Sequence, residues 1–194
     1  MGQQNALQRL EGVVHARHYR VGDHGKQFLG AALECNDGAV WIIDYDEQSP
    51  FHNFVGRHVI AYGEPPKPIG IRQVLVGWPG AKALGHFCVS TMRVSDVSAD
   101  VEFVEIGAGH NLKGRFERAT GADDDSKLSF VTADRKAFLV ANDPAEVKCG
   151  TDVAVWAYPI QASKARHGLA GPYLWIICPH SAADLWEWRN RHTS

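Results

Sequence analysis

Basic and aromatic residues are mixed in one segment near the start of the sequence, between residues 15 and 28. It holds three cations and two aromatic rings: Arg17, Tyr19, Arg20, Lys26 and Phe28. Asp23 is the single acidic residue among them. Single-stranded nucleic acid is bound by such mixtures, because cations follow the phosphates while aromatic faces stack on the bases. The segment predicts a contact surface for single-stranded nucleic acid or another polyanion.

A second basic and aromatic segment spans residues 64–85. It adds Lys67, Arg72, Trp78 and Lys82 to the candidate contact residues. Trp41, on a predicted strand, completes the set, although the apolar neighbours on both sides of it leave open which face of that strand points inward. The alternative is that both segments are solvated loops with ordinary charges, since loops are usually polar.

His86 and Cys88 lie two apart on a predicted strand and would share a face, which suits two metal ligands or a Cys–His pair. A zinc site needs at least a third ligand, and the pattern supplies none. No glycine-rich phosphate loop, nucleophile elbow or H-E-x-x-H motif is present. We therefore expect a protein that is not an enzyme, with no catalytic residues, no metal and no cofactor.

The sequence contains an internal repeat. Residues 10–14, Leu-Glu-Gly-Val-Val, match residues 112–116, Leu-Lys-Gly-Arg-Phe, and later glycines match in the same order. Gly56 corresponds to Gly150 and Gly85 to Gly171, with an offset that shrinks as shorter loops in the second copy require. Units of this size are tandem domains, because solenoid repeats are much shorter.

Each copy predicts five strands. In the first copy they are Leu10 to Arg17, Lys26 to Cys35, Ala39 to Asp44, Arg57 to Gly63 and His86 to Val94. Asn36-Asp37-Gly38 predicts a hairpin turn, since Asp-Gly supplies the positive φ that such turns need. Ser49-Pro50 and Asp143-Pro144 each predict one helical turn between the third and fourth strands.

Five short strands with a helical turn between the third and fourth resemble the OB-fold superfamily. The resemblance covers about residues 10–94 and 112–178, and Gly12 and Gly114 stand where that fold bends its first strand. It implies an all-β protein of two tandem five-stranded OB-like barrels, with ligands on strands two and three and on the loops after strands one and four. An SH3-like barrel or a split barrel would give much the same pattern.

The expected domains are residues 1–97 and 98–194. Residues 101–106 are apolar enough to add a strand, and the capping box from Ser181 to Asp184 predicts a C-terminal helix. The acidic run Asp123-Asp124-Asp125 follows the first strand of the second copy, where the first copy is basic. It lacks the alternating ligands of a calcium loop and would repel phosphate.

Composition excludes several classes of protein. The formal net charge of -2 gives no general attraction to nucleic acid or acidic membranes, so any such partner needs a local patch. No apolar run approaches the roughly 18 residues of a membrane span, and neither a leader nor a C-x-x-C pair is recognisable. We expect a cytoplasmic protein that is not membrane-bound. The oligomeric state is not predicted.

Two functions fit these observations. The first is a non-enzymatic binding protein whose first barrel binds single-stranded nucleic acid or another polyanion through the basic and aromatic residues. The alternative is a protein–protein interaction module or adaptor without nucleic-acid binding, favoured by the near-neutral charge.

The opposite charges of the two loops give a testable prediction. Replacing Arg17 and Arg20 by glutamate should weaken binding of an oligonucleotide and flatten its salt dependence, whereas Asn or Ser at residues 123–125 should change it little. Binding titrations of the three proteins at several salt concentrations check this. Equal losses would mean that the ligand bridges both barrels, or that the basic loop is only solvated.

Overall fold

The computed structural model describes residues 7–21, 27–44, 46, 48–64, 67–68, 73–76, 83–96, 101–119, 127–144, 147–163 and 171–180. Strands dominate this part of the chain, which holds a single short 3₁₀ helix. The chain divides into two compact units, with the boundary between Gly107 and Ala108. In the described ranges, no helix has the length and apolar character to cross a membrane.

The first unit contains nine strands and the 3₁₀ helix: β1 (Gln8–Val21), β2 (Gln27–Cys35), β3 (Val40–Asp44), η1 (Pro50–Phe54), β4 (His58–Gly63), β5 (Lys67–Pro68), β6 (Gln73–Val76), β7 (Ala83–His86), β8 (Val89–Val94) and β9 (Phe103–Gly107). The first four predicted strands are confirmed with shifted ends. The predicted fifth strand is divided, because Phe87 and Cys88 separate β7 from β8. The stretch 64–85, predicted as a loop, contributes β5 and β6.

Strand β1 is shared by three neighbours. It pairs antiparallel with β2 along its length after Gly12, with β4 up to Val13, and with β6 at residues 18–21. Strand β3 pairs antiparallel with β2 and parallel with β7, while β8 pairs with β4 and with β9. The predicted strand at 101–106 is therefore confirmed, and it continues the sheet of the first unit.

Two local predictions are confirmed in this unit. Gly38 has a φ of +82° in the β2–β3 turn, where its N–H donates to the Cys35 carbonyl at 2.9 Å. Ser49 caps η1, since its Oγ accepts a hydrogen bond from the Phe51 N–H at 3.2 Å, and it donates to Asp44 Oδ2 at 2.7 Å. Both features depend on neighbours in sequence, which is why the residue types revealed them.

The second unit forms a closed barrel of five strands: β10 (His110–Ala119), β11 (Lys127–Thr132), β12 (Ala137–Val140), β13 (Asp152–Ala162) and β14 (Tyr173–His180). Strand β10 pairs with β11 and β13, β11 with β12, β13 with β14, and β12 closes on β14 in parallel. Closure leaves no open edge among these strands.

The core of this barrel is built by alternate residues on each strand. Phe116 and Phe130 are direct cross-strand partners, with ring centroids 5.2 Å apart and planes at 69°. Val155, Leu174 and Ile176 complete the buried centre.

Truncating either phenylalanine to alanine should lower the free energy of unfolding by about 3–5 kcal/mol, the usual range for a buried aromatic residue.

Asn142 extends the parallel pairing beyond the end of β12. Its Nδ2 donates to the Ile176 carbonyl at 2.7 Å, and the Ile176 N–H donates to its Oδ1 at 2.9 Å. These bonds lie next to the point where the pairing of β13 with β14 shifts register, between Trp156 and Ala157. The amide thus replaces a backbone partner for a fully buried residue.

The unit boundary falls after Gly107, whereas the sequence placed it after residue 97. Pairing of β9 with β8 accounts for the difference.

In the second unit, Asp143 and Pro144 lie in irregular backbone and residues 145–146 are outside the described ranges, so a helical turn there stays a prediction. The C-terminal helix predicted from Ser181 also lies outside the described residues.

Asn142 gives a stability prediction. Asn142→Ala removes the partners of both Ile176 backbone groups, so the free energy of unfolding should fall by about 1–3 kcal/mol. Asn142→Asp should also destabilise, because a carboxylate oxygen then faces the Ile176 carbonyl. Asn111→Ala, at an exposed position of β10, is the matched control and should stay within about 0.5 kcal/mol. Urea unfolding measures all three, and equal changes at residues 111 and 142 would contradict the assignment.

Candidate functional site

The register of β1 and β2 separates their side chains onto two faces. Val14 and its cross-strand partner Leu33 are fully buried and face the core. Because successive side chains alternate, His15 and Arg17 lie on the opposite, outer face. Glu34, next to Leu33 on β2, shares that face. We call His15, Arg17 and Glu34 the outer-face cluster.

The outer-face cluster is joined by short polar contacts. His15 Nε2 lies 3.2 Å from Glu34 Oε2, and Arg17 Nη2 lies 3.4 Å from His15 Nδ1. The side chains of His15 and Glu34 are 27% and 38% exposed, so the pair borders solvent. Gly30 and Ala32 stand opposite Arg17 and His15 on β2, so no large β2 side chain faces either residue directly.

Burial controls the charge of the histidine. It lowers the pKa of His15 below the ordinary 6.5, and the Arg17 guanidinium lowers it further, while the Glu34 carboxylate acts in the opposite direction. At neutral pH the cluster therefore holds one cation, one anion and a neutral imidazole.

Of the ten predicted contact residues, the structure describes the side chains of Arg17 and Trp41. It describes the backbone of Tyr19, Arg20, Phe28 and Lys67, and it does not cover Lys26, Arg72, Trp78 and Lys82. Trp41 pairs directly with Leu33, but its neighbours Val40 and Ile42 are the buried residues of β3 and Trp41 is half-buried. Register therefore favours Trp41 as the inward-facing residue, whereas burial favours Val40 and Ile42.

Backbone pairing brings the two predicted basic and aromatic segments together. Tyr19 pairs with Phe28 on β2 and with Leu75 on β6, and Arg20 pairs with Gln27 and Val74. Strand β6 belongs to the stretch 64–85, and β5 of that stretch pairs Lys67 with His86. Of the second segment, Gln73–Val76 therefore lies beside the end of β1, beyond Arg17, whereas Lys67 lies beside β7.

The His86 and Cys88 pattern does not form a regular shared face, because the strand is interrupted between them. His86 is partly buried, which lowers its pKa, and Cys88 is exposed. In the described ranges, no three His, Cys, Asp or Glu side chains are grouped to hold a metal ion.

Histidines 52 and 58 have local roles. His52 Nε2 lies 3.1 Å from the Asp46 carbonyl. The ring of His58 contacts Ser95 Oγ at 2.9 Å through Nδ1 and Asn36 Oδ1 at 3.2 Å through Nε2. These contacts connect segments of the first unit.

Glu34 and the role of His15 were not predicted from sequence. The alternation of His15 with Arg17 was visible, but the partner of His15 on β2 depends on the β1–β2 register. A shift of one residue would have moved Glu34 to the other face.

No protein-family model matches this chain, and no curated protein or solved structure matches it significantly. The closed five-stranded barrel is compatible with an OB-like fold. Any assignment of function therefore has to come from the geometry of the first unit.

Thiol reactivity gives a prediction for cysteines of both units. Burial, aided by the charge of Asp37, raises the pKa of Cys35 to about 11, whereas Cys88 and Cys149 are exposed. At pH 8 iodoacetamide should modify Cys88 and Cys149 while Cys35 stays protonated and shielded. Peptide mapping by mass spectrometry reads each site. Modification of Cys35 as fast as Cys88 in the folded protein would show that this burial is wrong.

Proposed function

We propose that the two units are copies of one OB-like barrel and that the first copy binds single-stranded nucleic acid or another polyanion. The first support is the glycine in the first strand of each unit. A Cβ on Gly12 would overlap the Glu34 carbonyl oxygen, and one on Gly114 would overlap the Val131 carbonyl oxygen. Each glycine thus permits the same close approach of the second strand.

The second support is a matching set of backbone hydrogen bonds. The Gly56 N–H donates to the Val14 carbonyl at 2.8 Å, and the Gly150 N–H donates to the Phe116 carbonyl at 2.9 Å. Both glycines have positive φ, +76° and +79°. Val14 and Phe116 each follow the first-strand glycine by two residues, so the correspondence extends across two elements.

The third support is the parallel closure. Strand β3 pairs in parallel with β7, as β12 does with β14, and β8 pairs with β4 as β14 does with β13. In this interpretation β7 and β8 together take the place of β14. The interruption at Phe87 and Cys88 divides one barrel strand into two.

The observation that carries the binding proposal is the convergence at the end of β1. Pairing of Tyr19 with Phe28 on one side and Leu75 on the other brings together the two segments that contain the predicted cations and aromatic residues. Arg17 and His15 lie next to this point, on the outer face. A single strand that follows this end of β1 would meet the positive charge of Arg17.

The second unit lacks the same charges. If Val14 corresponds to Phe116, then Glu117 replaces His15 and Ala119 replaces Arg17. Glu117 is held by the neighbouring Arg115, whose Nε lies 2.6 Å from its Oε1. Together with the acidic run after β10, this replacement makes the second copy a poor polyanion site.

Salt-dependent binding tests the proposal. The full chain should bind an oligodeoxythymidylate labelled with a pH-insensitive dye, with an affinity that falls as salt is raised. Arg17→Ala should weaken binding and reduce the slope of log K against log salt by about 0.7, the value for one lost phosphate contact on a single strand. Fluorescence anisotropy measures both quantities.

Arg9→Ala is the matched control. Arg9 lies on the same strand, pairs with Glu11 and is remote from the convergence point, so this change should leave the slope unaltered. Equal effects at residues 9 and 17 would place the site elsewhere. An absence of binding even at low salt would remove the proposal, and a pull-down for a protein partner would then test the adaptor alternative.

A further inference from the structure

We propose that His15 controls the polyanion-binding face, because uptake of a proton releases Arg17 from the imidazole and adds a second positive charge beside it. This inference rests on the proposed function. It concerns the pH at which this face binds tightly, in addition to what the face binds.

Hydrogen-bond direction defines the neutral state. A guanidinium can only donate, so at 3.4 Å the Arg17 Nη2 group donates to His15 Nδ1, which must carry a lone pair. The ring proton is then on Nε2, which donates to Glu34 Oε2 at 3.2 Å. The neutral imidazole is therefore polarised between a cation that donates to it and an anion that accepts from it.

Protonation breaks one of these contacts and strengthens the other. A proton on Nδ1 removes one acceptor of Arg17, whose Nη1 also lies 3.5 Å from the Ala16 carbonyl oxygen, and puts two positive charges next to each other, so the guanidinium is driven away from the ring. The imidazolium keeps its bond to Glu34, now as a charge-assisted pair. The cluster gains one unit of positive charge, and the long Arg17 side chain can turn towards a phosphate.

The direction of the pH effect follows from the surroundings of His15. Among the described side chains, the charged groups that act on the ring are Arg17 on β1 and Glu34 on β2. Burial and Arg17 hold the pKa below 6.5, so the free protein has neutral His15 at pH 7.5. A bound phosphate favours the imidazolium, so binding takes up a proton and affinity rises as pH falls.

The expected size can be estimated from this linkage. An opposite charge close to a titrating group shifts its pKa by about 1–3 units, and each unit changes affinity by at most about ten-fold, so the oligonucleotide should bind at least about three-fold more tightly at pH 5 than at pH 7.5. Oligodeoxythymidylate is the probe, because thymine does not titrate in this range.

Three variants isolate His15 from other titrating groups. His15→Gln can accept from Arg17 and donate to Glu34 without titrating, so its affinity should match the wild type at pH 7.5 and fail to rise in acid. His15→Lys carries a fixed charge and should bind tightly already at pH 7.5. His110→Gln is the matched control, since His110 is exposed on β10 of the second unit, and it should keep the full pH response.

The outcomes are distinct. Circular dichroism first confirms that each variant is folded as the wild type. Tight binding at pH 5 that persists in the His15→Gln variant overturns the role of His15 while the proposed function stands. Binding without pH dependence in the wild type does the same, whereas no binding at any pH overturns both. As an independent readout, the NMR titration of the His15 ring should shift to higher pH when the oligonucleotide is added.

Discussion

The first strand of each unit has to pair with a neighbour on both edges while it bends, and a glycine makes this possible. At Gly12 and Gly114 the carbonyl group of the second strand occupies the space that a Cβ would need. A strand so bent can be hydrogen-bonded to the second strand beyond the glycine and to the fourth strand before it. Closure of the five-stranded barrel in the second unit depends on this shared strand.

The bend also decides which side chains remain outside. Val14, two residues after Gly12, faces the core. Because side chains alternate along a strand, the odd-numbered residues that follow on β1 lie on the outer face, whatever their polarity. In the first unit those residues are His15 and Arg17, and Glu34 joins them from β2. In the second unit the residue two positions before Ala119 is Glu117. If the two units are copies, as proposed, the same place carries opposite charge in them.

Opposing interactions act on His15 within the outer-face cluster. The Glu34 carboxylate by itself would raise the pKa of His15, but burial and the adjacent guanidinium lower it. The imidazole is consequently held neutral although it contacts Glu34 at 3.2 Å. An approaching polyanion would change that balance in favour of the proton, which couples binding to acidity.

The sequence by itself determined the features that depend on neighbouring residues. The β2–β3 turn follows from Asp37-Gly38, the cap of η1 from Ser49-Pro50, and the strands from their composition, because each is specified within a few residues. Tertiary structure alone decided the register. It placed Glu34 beside His15, paired Trp41 with Leu33 and divided the last strand at Phe87. A strand's period of two fixes which residues share a face, but only pairing across the sheet fixes which face is outside and which residues meet.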